Sequence, residues 1–241
     1  MKITVFTLFP NLIEQYCNEA LLGRALKNNL WELCIVNIRD YATDLRKTVD
    51  NTPYSGGHGM VMKPDIIDRA ITNNCDVKNT KFFYMSPKGK HINQTIVKNT
   101  LNFSNIAILC GRYEGVDQRI IDEYEMEELS IGDFVLMGGE IPALAFMESL
   151  IRCLPNVIGD NNSITEDSFG GASGSDFDNL LEYPNYTKPE VWKNRKVPEI
   201  LLSGNHKKIE QWKLKEAIKI TKKRRPDIWQ KYLIEKFKNE N

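Results

Sequence analysis

Ser130-Ile131-Gly132-Asp133-Phe134-Val135-Leu136-Met137-Gly138-Gly139-Glu140 is the stretch of sequence that says most about the fold. Three glycines enclose a short apolar run, and a helix-like segment begins at Pro142. A second glycine-flanked element, Gly111-Arg112-Tyr113-Glu114-Gly115, follows the apolar run 105–110. Glycine has no Cβ, so it permits positive φ and lets the backbone approach a ligand closely. Either loop alone would be an ordinary turn, but the two together predict a site for a small adenine-bearing molecule.

Strand-like and helix-like patterns alternate on both sides of these loops, through residues 1–155. The predicted strands are 3–8, 32–38, 81–85, 106–110 and 134–137, and the predicted helices are 12–30, a segment opened by Pro64, 93–101 and 142–154. The strand 106–110 is apolar throughout, as expected of a parallel sheet covered on both faces. Alternation of this kind predicts an α/β layered fold.

The composition is that of an ordinary globular protein with one or two domains. The chain has 241 residues, of which 41% are hydrophobic and 27% charged. Five scattered cysteines without a CxxC pair indicate neither a zinc knuckle nor a disulfide framework, which favours a cytoplasmic location. The apolar start of the chain, 2–9, is too short for a signal peptide and is predicted to be a buried strand.

The second half of the chain has a different character. The polar, glycine-rich segment 160–179 is predicted to be a linker or mobile lid between an α/β domain, 1–159, and a helical domain, 180–241. Residues 188–241 hold 16 Lys and Arg against 7 Asp and Glu, although the whole chain is formally neutral. Four lysines of the predicted helix 205–225 form one stripe: Lys208, Lys215, Lys219 and Lys222. Contact with nucleic-acid phosphates and a merely solvated lysine face are about equally good explanations.

Common phosphate-binding and metal-binding patterns are absent from the sequence. Neither G-x-x-x-x-G-K-[ST] nor a strand-to-helix G-x-G-x-x-G occurs, which argues against nucleotide hydrolysis and an ordinary dinucleotide site. A third glycine-rich loop, 50–60, contains His58, for which an incidental loop position is a better explanation than a ligand or proton carrier. His58, His91 and His206 are too dispersed to make a metal site.

Seven ordered motifs occur along the chain. They are 54–62, Ser86-Pro87-Lys88-Gly89, 111–115, 130–140, Glu166-Asp167-Ser168-Phe169, 186–191 and 197–206. Together they resemble one known family, the TrmD family of bacterial tRNA (guanine-N1)-methyltransferases of the SPOUT class. The resemblance extends nearly end to end.

This resemblance implies transfer of a methyl group from S-adenosylmethionine (SAM) to N1 of the guanine 3′ to the anticodon. It also implies that the α/β domain carries a deep trefoil knot, whereas the strand pattern alone suggests an unknotted, doubly wound sheet. The positions that the resemblance assigns to cofactor binding are Tyr84, Met85, Ser86, Pro87, Gly111, Tyr113, Glu114, Ser130, Ile131, Gly132, Asp133, Phe134, Val135, Leu136, Gly138 and Gly139.

The resemblance assigns a catalytic role to two residues. The resemblance makes Asp167 the base that removes the N1 proton, which a carboxylate of pKa ~4 can do only when held at hydrogen-bonding distance. It makes Arg152 the cation that stabilises charge on the guanine carbonyl oxygen. Without the resemblance, a helix-end cation favoured by the helix dipole would be the better explanation of Arg152. Glu114 matches a family residue near the SAM amino group.

The resemblance also implies a homodimer and a tRNA partner. Each active site would join the cofactor site of one subunit to the lid and C-terminal domain of the other, and the basic tail would hold the anticodon stem. Some members of the family are reported to need Mg²⁺, and no pattern in this sequence indicates a site for it.

Departures from the family pattern are few, and alternatives remain. Ser55, His58, Phe134 and Met137 differ from the usual family residues, and Met137 removes one polar contact expected near SAM. The run 170–175 lengthens the predicted lid. The alternatives are a nucleotide-binding oxidoreductase on an unknotted sheet and a non-catalytic RNA-binding module.

Overall fold

The chain forms two compact units, Met1–Gly159 and Asp160–Asn241. The structure is a computed structural model that describes residues 1–54, 56, 58–159, 167–169, 177 and 179–239, with only the backbone at 235, 238 and 239. Ser55 and most of the predicted lid lie outside the described residues. Within the described part, no helix is long and apolar enough to cross a lipid bilayer.

The first unit is built on a five-stranded parallel sheet with the strand order β2-β1-β6-β5-β7. These strands are β1 (Lys2–Thr7), β2 (Glu32–Asn37), β5 (Lys81–His91), β6 (Asn105–Cys110) and β7 (Glu127–Ser130), and the short pair β3 (Asp50–Asn51) and β4 (Val61–Met62) is antiparallel and separate. The predicted α/β layered fold with a parallel sheet is therefore confirmed.

Six helices cover the two faces of this sheet. They are α1 (Pro10–Cys17), α2 (Ala20–Lys27), α3 (Pro64–Asn74), α4 (Gln94–Thr100), α5 (Gln118–Glu123) and α6 (Glu140–Arg152). Side chains of α1, α2, α4 and α6 form one core, and side chains of α3 and α5 form the other. Alternate residues of β6 serve both, since Ile106 and Ile108 face the first core and Ala107 and Leu109 the second.

Local sequence explains several helix starts. Pro64 occupies the first turn of α3, where its missing N–H costs nothing. Asn93 caps α4 by accepting a hydrogen bond from the Ile96 N–H at 3.1 Å, as predicted. The single helix predicted over 12–30 is wrong, because α1 and α2 are separate. Ala20 takes φ +48°, and α2 packs so closely on the preceding turn that a Cβ on Gly23 would lie 2.0 Å from the Asn18 carbonyl oxygen.

Two strand predictions near the glycine loops are corrected by the structure. The residues 134–137 are not a strand; they form an exposed loop, and the strand at this end of the sheet is β7. The strand predicted to end at Met85 continues through Gly89 to His91, with a register shift against β7 between Met85 and Lys90. Gly89 makes the shift possible, since a Cβ there would lie 2.4 Å from the Leu129 backbone nitrogen.

The second unit is a small helical domain with a hairpin. It contains the strands β8 (Val191–Trp192) and β9 (Arg195–Lys196) and the helices α7 (Glu199–Leu202), α8 (His206–Arg224) and α9 (Pro226–Asn239). Its core joins Leu180, Tyr183, Ala217 and Tyr232. The lysines of the predicted stripe on α8 are all exposed. Phe237, on the last helix, is exposed.

Candidate functional site

A cavity of about 320 Å³ opens beside the middle of β5 and the carboxyl ends of β6 and β7. This is the edge at which open parallel sheets bind their ligands. Residues of three chain segments line it, 84–88, 111–118 without Asp117 and 128–139 without Asp133, together with Ile121 and Pro142. The two glycine loops singled out in the sequence therefore meet in one place.

Fifteen of the sixteen predicted cofactor positions lie on the wall of this cavity. They are Tyr84, Met85, Ser86, Pro87, Gly111, Tyr113, Glu114, Ser130, Ile131, Gly132, Phe134, Val135, Leu136, Gly138 and Gly139. Asp133 is the exception: its side chain lies 2.8 Å from His91 Nε2 and is largely exposed. The pair joins the end of β5 to the loop that follows β7. Asp133 therefore lies next to the cavity, and its carboxylate pairs with the His91 side chain of the same chain.

The glycines of the cavity wall allow its loops to pack on each other. The Gly139 N–H donates to the Gly111 carbonyl at 3.0 Å, which joins the loops after β6 and β7. A Cβ on Gly139 would lie 2.9 Å from Cys110 Cα, and one on Gly111 would lie 2.8 Å from the Tyr84 hydroxyl. The sequence predicts that these glycines let the backbone approach a ligand closely. The structure gives a second reason for them, because the loops of the protein already pack too closely for a Cβ at Gly111 or Gly139.

A buried ion pair holds the two loops together. Arg112 Nη2 lies 2.9 Å from Glu140 Oε2, in an orientation that does not make a hydrogen bond. Thr7 Oγ1 donates to the other Glu140 oxygen at 2.8 Å, and Glu140 is 1% exposed. The Arg112 guanidinium also donates to the Met137 carbonyl at 3.3 Å and lies over the Phe9 ring. Arg112 therefore links the loop after β6 to the loop after β7 and, through Glu140 and Thr7, to β1.

Sequence reasoning missed the roles of Arg112 and Glu140, although both residues stood in the quoted motifs. A charged residue between Gly111 and Tyr113, and an acid followed by the apolar α6, were the available signals. Neither signal identifies a partner, because a buried acid needs a cation that is distant in sequence.

The third glycine-rich loop packs against the loop after β6. The Glu114 N–H donates to the Met60 carbonyl and the Met62 N–H to the Gly115 carbonyl, each at 2.9 Å. Gly59 has φ +86°, and the Glu114 carboxylate lies against its Cα. This loop supports the cavity from outside. His58 is exposed and is not among the cavity-lining residues.

The polar groups of the wall suit a cationic ligand that carries a flat ring. Glu114 and Glu128 bring two negative charges against the one positive charge of Lys88, and Arg112 is already paired with Glu140. Tyr84 contributes an aromatic ring. Burial raises the pKa of its hydroxyl group, so the hydroxyl stays protonated. Tyr113 at the rim has φ +60°, an uncommon conformation that is concentrated at ligand sites. The cavity volume lies within the ~300–1,000 Å³ usual for small-molecule sites.

The two predicted catalytic residues lie in different units. Arg152 is the last residue of α6 and is exposed. Asp167 is half-buried in the short described segment 167–169 of the second unit. Within the described part of the chain, no three His, Cys, Asp or Glu side chains are arranged to hold a metal ion.

Comparison with known proteins agrees with this geometry. Residues 1–231 match the family model described as tRNA (Guanine-1)-methyltransferase TrmD. The chain belongs to the TrmD family. The family resemblance inferred from the seven motifs is therefore confirmed.

Curated relatives within the family are similar along nearly their whole length. A protein of Wolbachia pipientis wMel is 49% identical over 98% of both chains. A protein of Pelagibacter ubique is 44% identical over 95% of this chain and 96% of its own. A protein of Rickettsia akari is 42% identical over 95% of this chain and 97% of its own. Each carries the name tRNA (guanine-N(1)-)-methyltransferase.

Proposed function

We propose that this protein transfers the methyl group of SAM to N1 of the guanine that lies 3′ to the anticodon of tRNA. One observation carries the proposal. Fifteen positions taken from the motifs of a methyltransferase family converge on one cavity, in a chain whose relatives bear that enzyme name. The two alternatives, an oxidoreductase and a non-catalytic RNA-binding module, explain the cavity or the basic tail but not both.

The residues of the cavity fit SAM by charge and shape. Glu114 and Glu128 would face its cationic groups, and the backbone of 130–139 and the ring of Tyr84 would enclose the adenine. When bound, SAM supplies an electrophilic methyl group on its sulfonium. The loops after β6 and β7 orient that group by holding the rest of the molecule. The apolar side chains from Phe134 to Leu136 are exposed in the single chain, so they would exclude water only when another surface covers them.

Asp167 and Arg152 would act on the guanine. Asp167 would accept the N1 proton as N1 bonds to the methyl carbon and the bond from that carbon to sulfur breaks, which leaves a neutral thioether and avoids a free N1 anion. A carboxylate is a weak base for this proton, so it has to sit within hydrogen-bond reach of N1 and out of bulk water. Arg152 stabilises the negative charge that develops on the guanine carbonyl oxygen.

We further propose that the active enzyme is a knotted homodimer. Phe134, Val135, Met137 and Ile141 each expose more than half of their surface beside the cavity, an apolar patch that a second copy would cover. The knot would arise where residues 84–89 of β5 and the loops after β6 and β7 cross. The exposed lysines of α8 would contact tRNA phosphates, and Mg²⁺ would assist the transfer as is reported for some members of the family.

A methyl-transfer assay tests the main proposal. Purified protein, labelled SAM and unmodified tRNA should give label on RNA with guanine at the acceptor position and none on RNA with adenine there. Asp167→Ala should abolish turnover and leave SAM affinity unchanged, with Glu123→Ala, an exposed acid on α5, as the control. Equal label on both RNAs, or on neither, would falsify the assignment.

Subunit mixing tests the dimer. A mixture of Asp167→Ala and Glu114→Ala proteins, each inactive alone, should regain activity, because one site of the mixed dimer combines an intact cavity with the partner's intact aspartate. If the two residues act within one chain, mixing restores nothing.

A further inference from the structure

The hairpin of the second unit has an unusual tip. Val191–Trp192 and Arg195–Lys196 pair with Trp192 opposite Arg195, and Lys193 and Asn194 form the two-residue turn. Both turn residues have positive φ, +47° and +64°. This is the combination that matches the twist of a two-residue hairpin. The Val197 N–H donates to the Glu190 carbonyl at 3.0 Å and extends the pairing beyond the strands.

Lys193 occupies the turn at an energetic disadvantage. Asparagine and glycine are the usual residues at the first central position, because a long side chain is disfavoured at positive φ. Strained backbone of this kind is concentrated at functional sites. The turn directs the Lys193 side chain back over the neighbouring indole, with Nζ 5.0 Å from the ring centroid of Trp192.

Trp192 is exposed in a strongly basic setting. Its side chain is 57% exposed, and it does not belong to the core of the second unit. Within its two strands and turn the hairpin carries Lys193, Arg195 and Lys196, all exposed, and Glu190 at its open end is the acidic residue that joins the pairing. A protein partner would favour a hairpin with few charges, because charged residues are depleted at the centres of protein interfaces.

We propose that the indole of Trp192 stacks on an unpaired base of the RNA substrate while Lys193, Arg195 and Lys196 contact the flanking phosphates. Sequence-tolerant stacking of bases on aromatic rings, with cations beside them, is how proteins hold single-stranded RNA. Lys193 supports the ring from one side and adds a cation–π contact. The inference deepens the proposed function: it rests on tRNA as the substrate and adds a binding element outside the methyl-transfer cavity.

The test measures RNA affinity separately from methyl transfer. Trp192→Ala should weaken binding of unmodified tRNA by roughly 5- to 150-fold, the equivalent of one lost stacking contact. The KM for tRNA should rise while kcat and SAM affinity stay at wild-type values. Trp192→Phe should retain most of the affinity, and Leu202→Ala, an equally exposed apolar residue of α7, should bind normally. Arg195→Gln should reduce the salt dependence of binding by about one unit of slope.

The RNA used in the assay separates the outcomes. A blunt duplex of the anticodon stem, which has no unpaired base, should bind Trp192→Ala and wild type equally. The stacking proposal would be overturned if Trp192→Ala bound tRNA as tightly as the wild type does. It would also be overturned if Trp192→Ala lost as much affinity for the duplex as for tRNA, even with normal methyl transfer. Wild-type protein that binds tRNA through Trp192 and transfers no methyl group would instead overturn the proposed function alone.

Discussion

Removal of the Glu140 carboxylate should leave the Arg112 guanidinium without a counter-charge between the loops that line the cavity. Glu140 is 1% exposed, and its two oxygens meet Thr7 and Arg112. In Glu140→Ala the Arg112 guanidinium keeps its contact with the Met137 carbonyl but loses its counter-charge. The link that Arg112 and Glu140 make between β1 and the loops after β6 and β7 is then lost.

The size of the effect follows from the exposure of the two partners. Breaking a fully buried ion pair costs about 3–5 kcal/mol, because one charge is left without a partner. The Arg112 side chain is 21% exposed and its contact with Glu140 lacks hydrogen-bond geometry, so water can compensate part of the loss. We therefore expect a loss of about 2–4 kcal/mol in the free energy of unfolding. For a chain of this length, this lowers the melting temperature by about 5–15 °C.

Thermal unfolding and SAM titration measure the two consequences. SAM affinity should fall with stability, because the loop 130–139 loses its anchor. Glu148→Ala on the same helix is the control: Glu148 is exposed and bonds Tyr16, so its loss should change stability by no more than about 1 kcal/mol. The double variant Arg112→Met, Glu140→Leu should be more stable than Glu140→Ala, since no charge is stranded. Equal losses in Glu140→Ala and Glu148→Ala, or a double variant no more stable than Glu140→Ala, would refute this reasoning.

Two further predictions follow from local contacts. Gly89→Ala should lower stability by about 2–3 kcal/mol, because its Cβ would meet the Glu128 backbone at 2.4 Å, whereas Gly159→Ala, in open space, should be neutral in thermal unfolding. Burial raises the pKa of the Cys17 thiol to about 11, so it should alkylate at pH 8 at least ~100-fold more slowly than Cys34, as followed by mass spectrometry. The unfolded thiol ionises first, so Cys17 should make unfolding easier as pH rises from about 9 to 11. Rapid labelling of native Cys17 would contradict the burial.

Much of the site was predictable because its residues are contiguous in motifs. The loop 111–115 follows a predicted strand, and parallel strands bring their carboxyl ends to one edge, so its place at the cavity follows from the α/β pattern. The strand before the second loop is β7, whereas the pattern predicts a strand at 134–137, so the pattern did not predict where the loop 130–140 begins. The assignment of chemistry to those positions came from the family resemblance and not from the spacing of residues. The roles of Asp167 and Arg152 remain predictions for the assays above.

The strand errors have a common physical cause. The residues 134–137 are as apolar as a buried strand, but they are exposed beside the cavity. Periodicity shows that a segment is apolar, and it does not show which surface will cover it. Similarly, Ser86-Pro87 resembles a strand end, yet pairing of Lys90 and His91 with β7 carries β5 onward past a bulge.

The sequence by itself determined the layered α/β fold, the positions of most helices and the family, because periodicity, caps and contiguous motifs are properties of neighbouring residues. Only the tertiary structure decided that Arg112, Glu140 and Thr7 form one buried cluster, since Thr7 and Glu140 are 133 residues apart. It also decided that Trp192 stands exposed on a basic hairpin. Burial and charge pairing depend on chain segments that meet only when the sheet and its loops have assembled.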